Sequence, residues 1–129
     1  MAVTYRIDPQ DRLVQLTVAG ESSFQEWESA LRRVLADPAY VKGYNFLTDR
    51  QGQSDVPGPE FPRLVLRFLV SHTPEMGRYR RAAVSPVEAT FQTLRMFHIL
   101  AEEVDIRVEA FRNYDEARRW LLSGVTAAA

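Results

Sequence analysis

The chain has 129 residues, 46% of them hydrophobic and 26% charged, a composition that indicates a globular protein folding as one domain over 1–129. Its net charge of −1 argues against a broad nucleic-acid surface, and the absence of cysteine excludes disulfides, thiolate nucleophiles and cysteine-ligated metals. The sequence contains no secretory signal and no apolar segment of membrane-spanning length, so we expect a cytoplasmic protein with no membrane insertion.

The first predicted elements are an antiparallel hairpin and a helix. VTYRI and LVQLTVAG alternate apolar with polar residues and flank the turn sequence DPQDR. ESSFQEWESALRRVLADP carries apolar residues at helical spacing, and its start offers a capping box, either Ser22 with Gln25 or Ser23 with Glu26. The Asp-Pro pair at 37–38 ends this helix, because the residue before a proline disfavours helical conformation.

The middle of the chain predicts a strand, a long loop and an apolar helix. GYNFLTD is the third strand, and residues 50 to 59 form the loop, which contains Pro57 and Pro59. PEFPRLVLRFLVSH is the second helix, with Pro62 in its first turn, where a missing N–H removes no intrahelical bond. This helix is apolar nearly all round, so we expect other elements to cover it heavily.

The last third of the chain alternates strand and helix again. The fourth strand centres on Ala82 to Val84, and SPVE at 85–88 predicts the start of the third helix, with a capping serine, a proline at the first helical position and a glutamate at the third. IRVEAF predicts an edge strand with one face partly exposed to solvent. Asn113 with Glu116 caps the final helix, YDEARRWLL, which Gly124 ends, leaving residues 124–129 as a frayed tail.

The element order ββαβαβαβα predicts an α/β fold. We expect a single domain with a mixed, mostly parallel five-stranded sheet, an N-terminal β-hairpin and four helices, because strand–helix alternation requires crossovers onto a largely parallel sheet. The core of this domain spans residues 3–123. The sequence leaves the order of the strands within the sheet open.

This element order resembles the STAS or SpoIIAA-like fold, which includes anti-sigma-factor antagonists and cytosolic domains of some anion transporters, and which shares a related core with CRAL-TRIO lipid-transfer domains. VTYRIDPQDRLVQLTVAGESSF and FRNYDEARRWL look like the openings and endings of small uncharacterised bacterial members. The resemblance implies a non-enzymatic regulatory or protein-interaction module that uses no cofactor.

The functional mark of the family that this chain resembles is a short Asp-Ser-(Ser or Thr)-Gly segment after the third strand, whose serine is phosphorylated by a partner kinase. The aligned segment here is TDRQG at 48–52. The aspartate and a glycine are present, but Arg50 and Gln51 stand where the acceptor serine is expected, and Ser54 is displaced into the loop. Whether any serine or threonine is phosphorylated stays open.

Several polar residues are predicted to gather where parallel strands end. The carboxyl ends of such strands meet at one edge of the sheet, where ligands usually bind, and helix N-termini there favour anions. We therefore expect a binding or docking edge, for an unidentified protein partner or a phospho-group, formed by Asp49, Arg50, Gly52, Ser54, Ser85 and Arg112. The alternative is that these residues only cap turns and helices, and that the prolines stiffen a connection.

The second and third helices carry more apolar residues than one buried face requires. The excess, which includes Met96 and Ile99, forms either a deep core or a surface that pairs with a second copy, and we expect a homodimer. An alternative function is a carrier or sensor of a small apolar or anionic ligand. Its pocket would lie between the sheet and the second and third helices, with Arg63, Arg67 and Arg95 as head-group contacts.

No catalytic or metal site is predicted. His72 and His98 are the only histidines, they do not form an HxxxH pair, and a metal site needs three or four ligands at workable spacing. The GxSxG sequence of serine hydrolases is also missing. Tyr79 lies among arginines at 78, 80 and 81, at the start of the fourth strand. We expect these arginines to be solvated or ion-paired, rather than to bind phosphate beside a tyrosine ring that stacks on a base.

Overall fold

The computed structural model describes residues 2–128, with side chains described for residues 2–123. Ten elements follow one another along this part of the chain. They are β1 (Val3–Asp8), β2 (Leu13–Gly20), α1 (Phe24–Ala36), β3 (Asn45–Gln53), α2 (Phe61–Ser71), α3 (Thr73–Met76), β4 (Arg80–Val84), α4 (Glu88–Glu102), β5 (Arg107–Phe111) and α5 (Tyr114–Ala128). The predicted third and fourth helices correspond to α4 and α5.

The five strands form one mixed sheet in the order β1-β2-β3-β4-β5. β1 pairs with β2 antiparallel, and the other three pairings are parallel. The predicted fold class is therefore confirmed. The helix count was wrong, because α3, a single turn with a proline at its start, follows α2 directly and ends at Gly77.

Helices cover both faces of the sheet, but unequally. The larger core lies under α1, α2 and α4, where Trp27, Val65 and Phe97 pack against β-strand residues such as Leu16 and Phe46. The smaller core lies under α5 on the opposite face, and consists of Leu13, Leu47, Ala82, Val84, Ala117 and Leu121. The central strands β3 and β4 are therefore covered on both sides, and their side chains point into a core in either direction.

The third strand is longer than predicted. β3 continues through residues 50–53, which were assigned to the loop, because β2 offers it pairing partners as far as Gly20. A register shift between Thr17 and Ala19 brings Ala19 opposite Gly52 and Gly20 opposite Gln53. The loop proper begins at Ser54, whose N–H donates to the Gly20 carbonyl at 3.0 Å.

The predicted start of the third helix was wrong. α4 begins at Glu88, after Val87 in extended conformation, and no side chain caps it. Ser85 lies directly after β4 instead, where its N–H donates to the Phe111 carbonyl at 3.0 Å and its Oγ accepts from the Val87 N–H at 3.2 Å. The hydroxyl thus closes a local turn at the end of β4.

The other helix-end predictions have mixed outcomes. Ser23 and Glu26 form the reciprocal capping box of α1, and Asn113 Oδ1 accepts from the Glu116 N–H at 3.1 Å at the start of α5. Gly124 does not end α5, which continues to Ala128. The predicted frayed tail includes Ala129, which lies outside the described residues. Across the part of the chain that the structure describes, no helix has the length and apolarity needed to span a bilayer.

Candidate functional site

The carboxyl edge of the sheet brings the predicted docking residues to one end of the molecule. In the ladder, Asp49 lies opposite Val84, and Val84 lies opposite Phe111. Ser85 and Arg112 directly follow β4 and β5, so they adjoin Asp49 along the same edge. Parallel pairing in register is the reason, since it places Asp49, Val84 and Phe111 side by side, while β3 continues beyond Asp49 to Gln53.

The side chains at this edge are not equally available. Ser85 is buried, and Arg112 forms an ion pair with Glu88 at 3.0 Å and stacks on Phe91. Hydrogen bonds from Gln92 and Arg112 lower the pKa of Glu88, so its carboxylate neutralises Arg112 at neutral pH. Arg112 is exposed but paired, and of the remaining predicted residues Asp49 is half-buried while Gly52 and Ser54 are exposed.

Arg50, predicted to lie on the docking edge, is buried instead. Only 3% of it is exposed, because strand alternation places it with Phe46 and Thr48 on the face that the three helices cover. The Phe61 ring at the start of α2 lies over the guanidinium, at 4.9 Å from the ring centroid. Arg50 therefore belongs to the interior between sheet and helices, and not to the exposed edge.

Arg50 lines a narrow cavity between the sheet and helices α1, α2 and α4, which we call the arginine pocket. Its volume is about 360 Å³ with its open mouth included, and little of this space is enclosed. The lining consists of two arginines, two threonines and otherwise apolar side chains: Arg50, Arg81, Thr48, Thr93, Trp27, Phe61, Pro62, Val65, Ala83, Leu94 and Phe97.

Arg81 is the second charged residue of the arginine pocket, and it is not the solvated strand entry that the sequence indicated. It is 2% exposed and forms no ion pair with any described residue. Its guanidinium lies 4.7 Å from the Phe46 ring centroid and 5.8 Å from those of Trp27 and Tyr79. Its Nε and Nη2 atoms have no hydrogen-bond acceptor among the described residues.

The buried charge of Arg50 is only partly compensated. Its Nη1 donates to Gln53 Oε1 at 3.0 Å, and Gln53 Nε2 donates to Asp55 Oδ1 at 3.1 Å, whereas its Nε has no partner among the described residues. Burial, followed by the positive charge of Arg81, lowers the pKa of Arg50 to about 10, while Asp55 acts in the opposite direction. Arg50 is therefore still a cation at neutral pH.

The phenol of Tyr40 does not supply the missing negative charge near Arg81. Burial is the main cause that raises the pKa of Tyr40 to about 12, and its hydroxyl has no hydrogen-bond partner among the described residues. Tyr40 is therefore a neutral phenol at physiological pH. Two guanidinium groups and a single carboxylate, Asp55, which reaches Arg50 through Gln53, set the charge of this region.

The arginines predicted to contact a ligand head group do not line the pocket. Arg63 and Arg67 lie on the exposed side of α2, and Arg95 lies on the exposed side of α4. The pocket is nevertheless between the sheet and the helices where the alternative hypothesis placed it. Strand alternation was the signal that could have indicated which arginines line the pocket, since residues 46, 48 and 50 share one face of β3 and residues 81 and 83 share the same face of β4.

The described residues contain no group of three or more potential metal ligands. His98 is engaged in structural contacts, since its Nδ1 contacts the Val108 carbonyl and its Nε2 lies 3.1 Å from Glu102. His72 Nδ1 lies 2.9 Å from the Phe68 carbonyl at the end of α2. Neither histidine lines the arginine pocket, whose hydroxyl groups, Thr48 and Thr93, have no base beside them in the lining.

No protein-family model matches this chain, and no curated protein matches it in sequence. Its structure is similar to the crystal structure of an uncharacterised protein from the DUF3478 family with a SpoIIAA-like fold, from Shewanella loihica PV-4. The TM-score is 0.59 at 15% sequence identity, and the match covers 93% of this chain and 92% of that chain. The chain therefore has a SpoIIAA-like fold, as its element order indicated, and a likeness at this identity carries the fold without the function.

Proposed function

We propose that the chain is a non-enzymatic binding module that takes a small anionic ligand into the arginine pocket. The observation that carries this proposal is the pair of buried guanidinium groups with unpaired N–H donors, on Arg50 and Arg81. A buried charge without a partner is unfavourable, and more than nine in ten buried polar groups in proteins have a hydrogen-bond partner. An anion between the two guanidinium groups would supply both the charge and the acceptors.

The walls of the pocket support binding rather than chemistry. Apart from the arginines and threonines they are aliphatic or aromatic, which suits an apolar ligand body with a single polar head. No acid, base and nucleophile converge on the pocket in the described part of the chain, and these groups are what a hydrolytic or transfer reaction requires. A carrier or sensor is the function that fits this lining.

Ligand-dependent stabilisation tests the proposal directly. Thermal unfolding is followed with octanoate, octyl phosphate and octylamine, each at constant ionic strength. Ligands that bind only the folded state raise the melting temperature by mass action, so we expect at least one of the two anionic probes to raise it and the cationic octylamine not to. The Arg81→Met variant should lose this response, whereas Arg67→Met, which removes an exposed arginine outside the pocket, should keep it.

Two results would contradict the binding function. One is a melting temperature that neither anionic probe changes in the parent protein. The other is an equal response in Arg81→Met and the parent, since the anion would then bind elsewhere. Native mass spectrometry of freshly purified protein adds an independent readout, because a bound acidic metabolite would appear as added mass that is absent from Arg81→Met.

A second candidate function is a protein contact at the carboxyl edge. Two exposed apolar residues lie in the segments that leave this edge, Val56 after β3 and Val87 after β4. They accompany the accessible Asp49, Gly52 and Ser54. Apolar residues with a polar rim are typical of protein–protein contacts. The loop of Val56 also leads into α2, whose Phe61 covers Arg50, so a ligand in the pocket and a partner at the edge would act on the same segment.

A further inference from the structure

We propose, resting on the binding function above, that the ligand is an amphipathic monocarboxylate whose head is held by Arg81 and Arg50. The carboxylate accepts two parallel hydrogen bonds from Nε and Nη2 of Arg81 and a third from Nε of Arg50. Its apolar chain lies between the sheet and helices α2 and α4. Three features of the arginine pocket lead to this class of ligand: the geometry of the unpaired donors, the local charge and the small size of the cavity.

The unpaired donors of Arg81 form a planar fork. Nε and Nη2 lie on the same edge of a guanidinium group and present parallel N–H bonds, which match the two oxygens of a carboxylate. Both atoms are buried and lack an acceptor among the described residues. Rings on Phe46, Trp27 and Tyr79 hold the guanidinium in place, so the fork is fixed before a ligand arrives. Such preorganisation favours a planar, bidentate head.

The local charge matches a monoanion. Arg50 is linked through Gln53 to Asp55, so one of the two cations already has a carboxylate within two hydrogen bonds. Arg81 forms no ion pair with any described residue. One further negative charge therefore balances the pocket, whereas a dianionic phosphate monoester would leave an excess negative charge in an apolar interior, where charge is poorly tolerated.

The small size of the cavity favours a compact head. Most of its roughly 360 Å³ is the open mouth, and the enclosed part has room for about one water molecule. A carboxylate with two oxygens needs less of this space than a phosphate with three free oxygens, and the apolar chain would extend into the mouth. The aromatic and aliphatic walls, including Phe61, Val65 and Leu94, suit a single alkyl chain or a planar ring, at about 25 cal/mol for each Å² of apolar surface that is buried.

Calorimetric titration of the whole chain with three probes of equal chain length tests the inference. Octanoate carries the planar monoanion, octyl phosphate carries the tetrahedral head, and methyl octanoate is the neutral isostere. We expect octanoate to bind at least tenfold more tightly than either of the others. Arg81→Lys keeps the charge but removes the fork, so we expect it to weaken octanoate binding at least tenfold and to narrow the preference over octyl phosphate.

The outcomes separate this inference from the binding function. Tighter binding of octyl phosphate than octanoate, abolished by Arg81→Met, overturns the carboxylate assignment and leaves the binding function standing. If methyl octanoate binds as tightly as octanoate, the Nε and Nη2 donors of Arg81 do not hold a carboxylate. Absence of binding by all three probes overturns both proposals. The comparison of probes uses the parent protein, so it decides the matter even if a substitution at Arg81 prevents folding.

Discussion

At the scale of single residues, the unusual feature of this protein is a buried cation held by rings. Arg81 lies among three aromatic side chains and has no carboxylate partner in the described part of the chain. Cation–π contacts give roughly 0.5–2 kcal/mol each, and they supply no acceptor for the N–H groups. The contrast with Arg112, which is exposed and paired with Glu88, distinguishes a candidate binding residue from a surface ion pair of small energetic effect.

A second residue-scale feature, the carboxylate of Asp37, predicts how stability depends on acid. The Ala39 N–H, and then the Tyr5 hydroxyl, lower the pKa of Asp37 below its usual 3.8. A carboxyl whose pKa is lowered in the folded state stabilises the protein above its unfolded pKa, and this contribution is lost as the pH falls through the folded pKa. Asp37→Asn should therefore lose less stability than the parent between about pH 5 and the folded pKa of Asp37.

Urea unfolding at a series of pH values measures this difference. Tyr5→Phe removes one of the two donors and should give an acid dependence between those of the parent and Asp37→Asn, because the remaining donor, the Ala39 N–H, still lowers the pKa of Asp37. Curves for the parent and Asp37→Asn that stay parallel throughout the acid range would show that this carboxylate does not contribute.

At the scale of elements, the connection from α2 to β4 depends on one backbone conformation. The short helix α3 ends at Gly77, with φ of 70° and ψ of −153°, a region that is essentially restricted to glycine. The Gly77 N–H donates to the Thr73 carbonyl at 2.8 Å, which closes the turn. Through this turn the chain enters β4, so the conformation of Gly77 helps to set where Arg81 lies.

Gly77→Ala should destabilise the fold by about 1–3 kcal/mol in urea unfolding, the usual cost of such a conformation for a residue with a Cβ. An added Cβ would also lie 3.0 Å from Cγ of Lys42. Gly58→Ala is the matched control, because no atom lies within 4 Å of its added Cβ and its φ lies outside the left-handed region. Gly58→Ala should leave the free energy of unfolding nearly unchanged or raise it by about 0.4–1 kcal/mol. Equal losses in the two variants would contradict the assignment.

At the scale of the whole molecule, the outer surface of the helical layer carries apolar side chains that no described residue covers. Met96 and Ile99 on α4 and Val70 on the neighbouring α2 are each about half exposed. The excess of apolar residues that the sequence predicted in these helices therefore divides between the larger core and the surface. The homodimer stays a prediction, and this surface is where we expect the second copy to bind.

Sedimentation across a dilution series measures the oligomeric state. We expect the parent to be a dimer at roughly 10 µM, and the double substitution of Met96→Glu with Ile99→Glu to give a monomer, because charges would be buried at the interface. Val41→Glu changes an equally exposed residue in the loop before β3 and should leave the dimer intact. A parent protein that is monomeric at this concentration would remove the homodimer from consideration.

The carboxyl edge and the arginine pocket were predictable to different degrees. Strand ends and parallel pairing were sufficient to bring Asp49, Ser85 and Arg112 together. The pocket was placed between the correct layers, but with exposed arginines in place of Arg50 and Arg81. The positive charge of both residues led to the prediction that they are exposed, because arginine is rarely buried in proteins without a partner. Strand alternation places both residues on the same face as Phe46, but only the tertiary structure showed that helices cover this face.

The sequence by itself determined the order of the strands and of the helices other than α3, the presence of a capping box at the start of α1 and the layered α/β architecture, because hydrogen bonds and hydrophobic spacing within a few residues act before distant segments meet. The tertiary structure alone decided the strand order, the extension of β3 to Gln53, the hydrogen bond from Ser85 to Phe111 and the burial of both arginines. Each of these depends on a neighbouring strand or covering helix from a distant part of the chain, which local propensity does not encode.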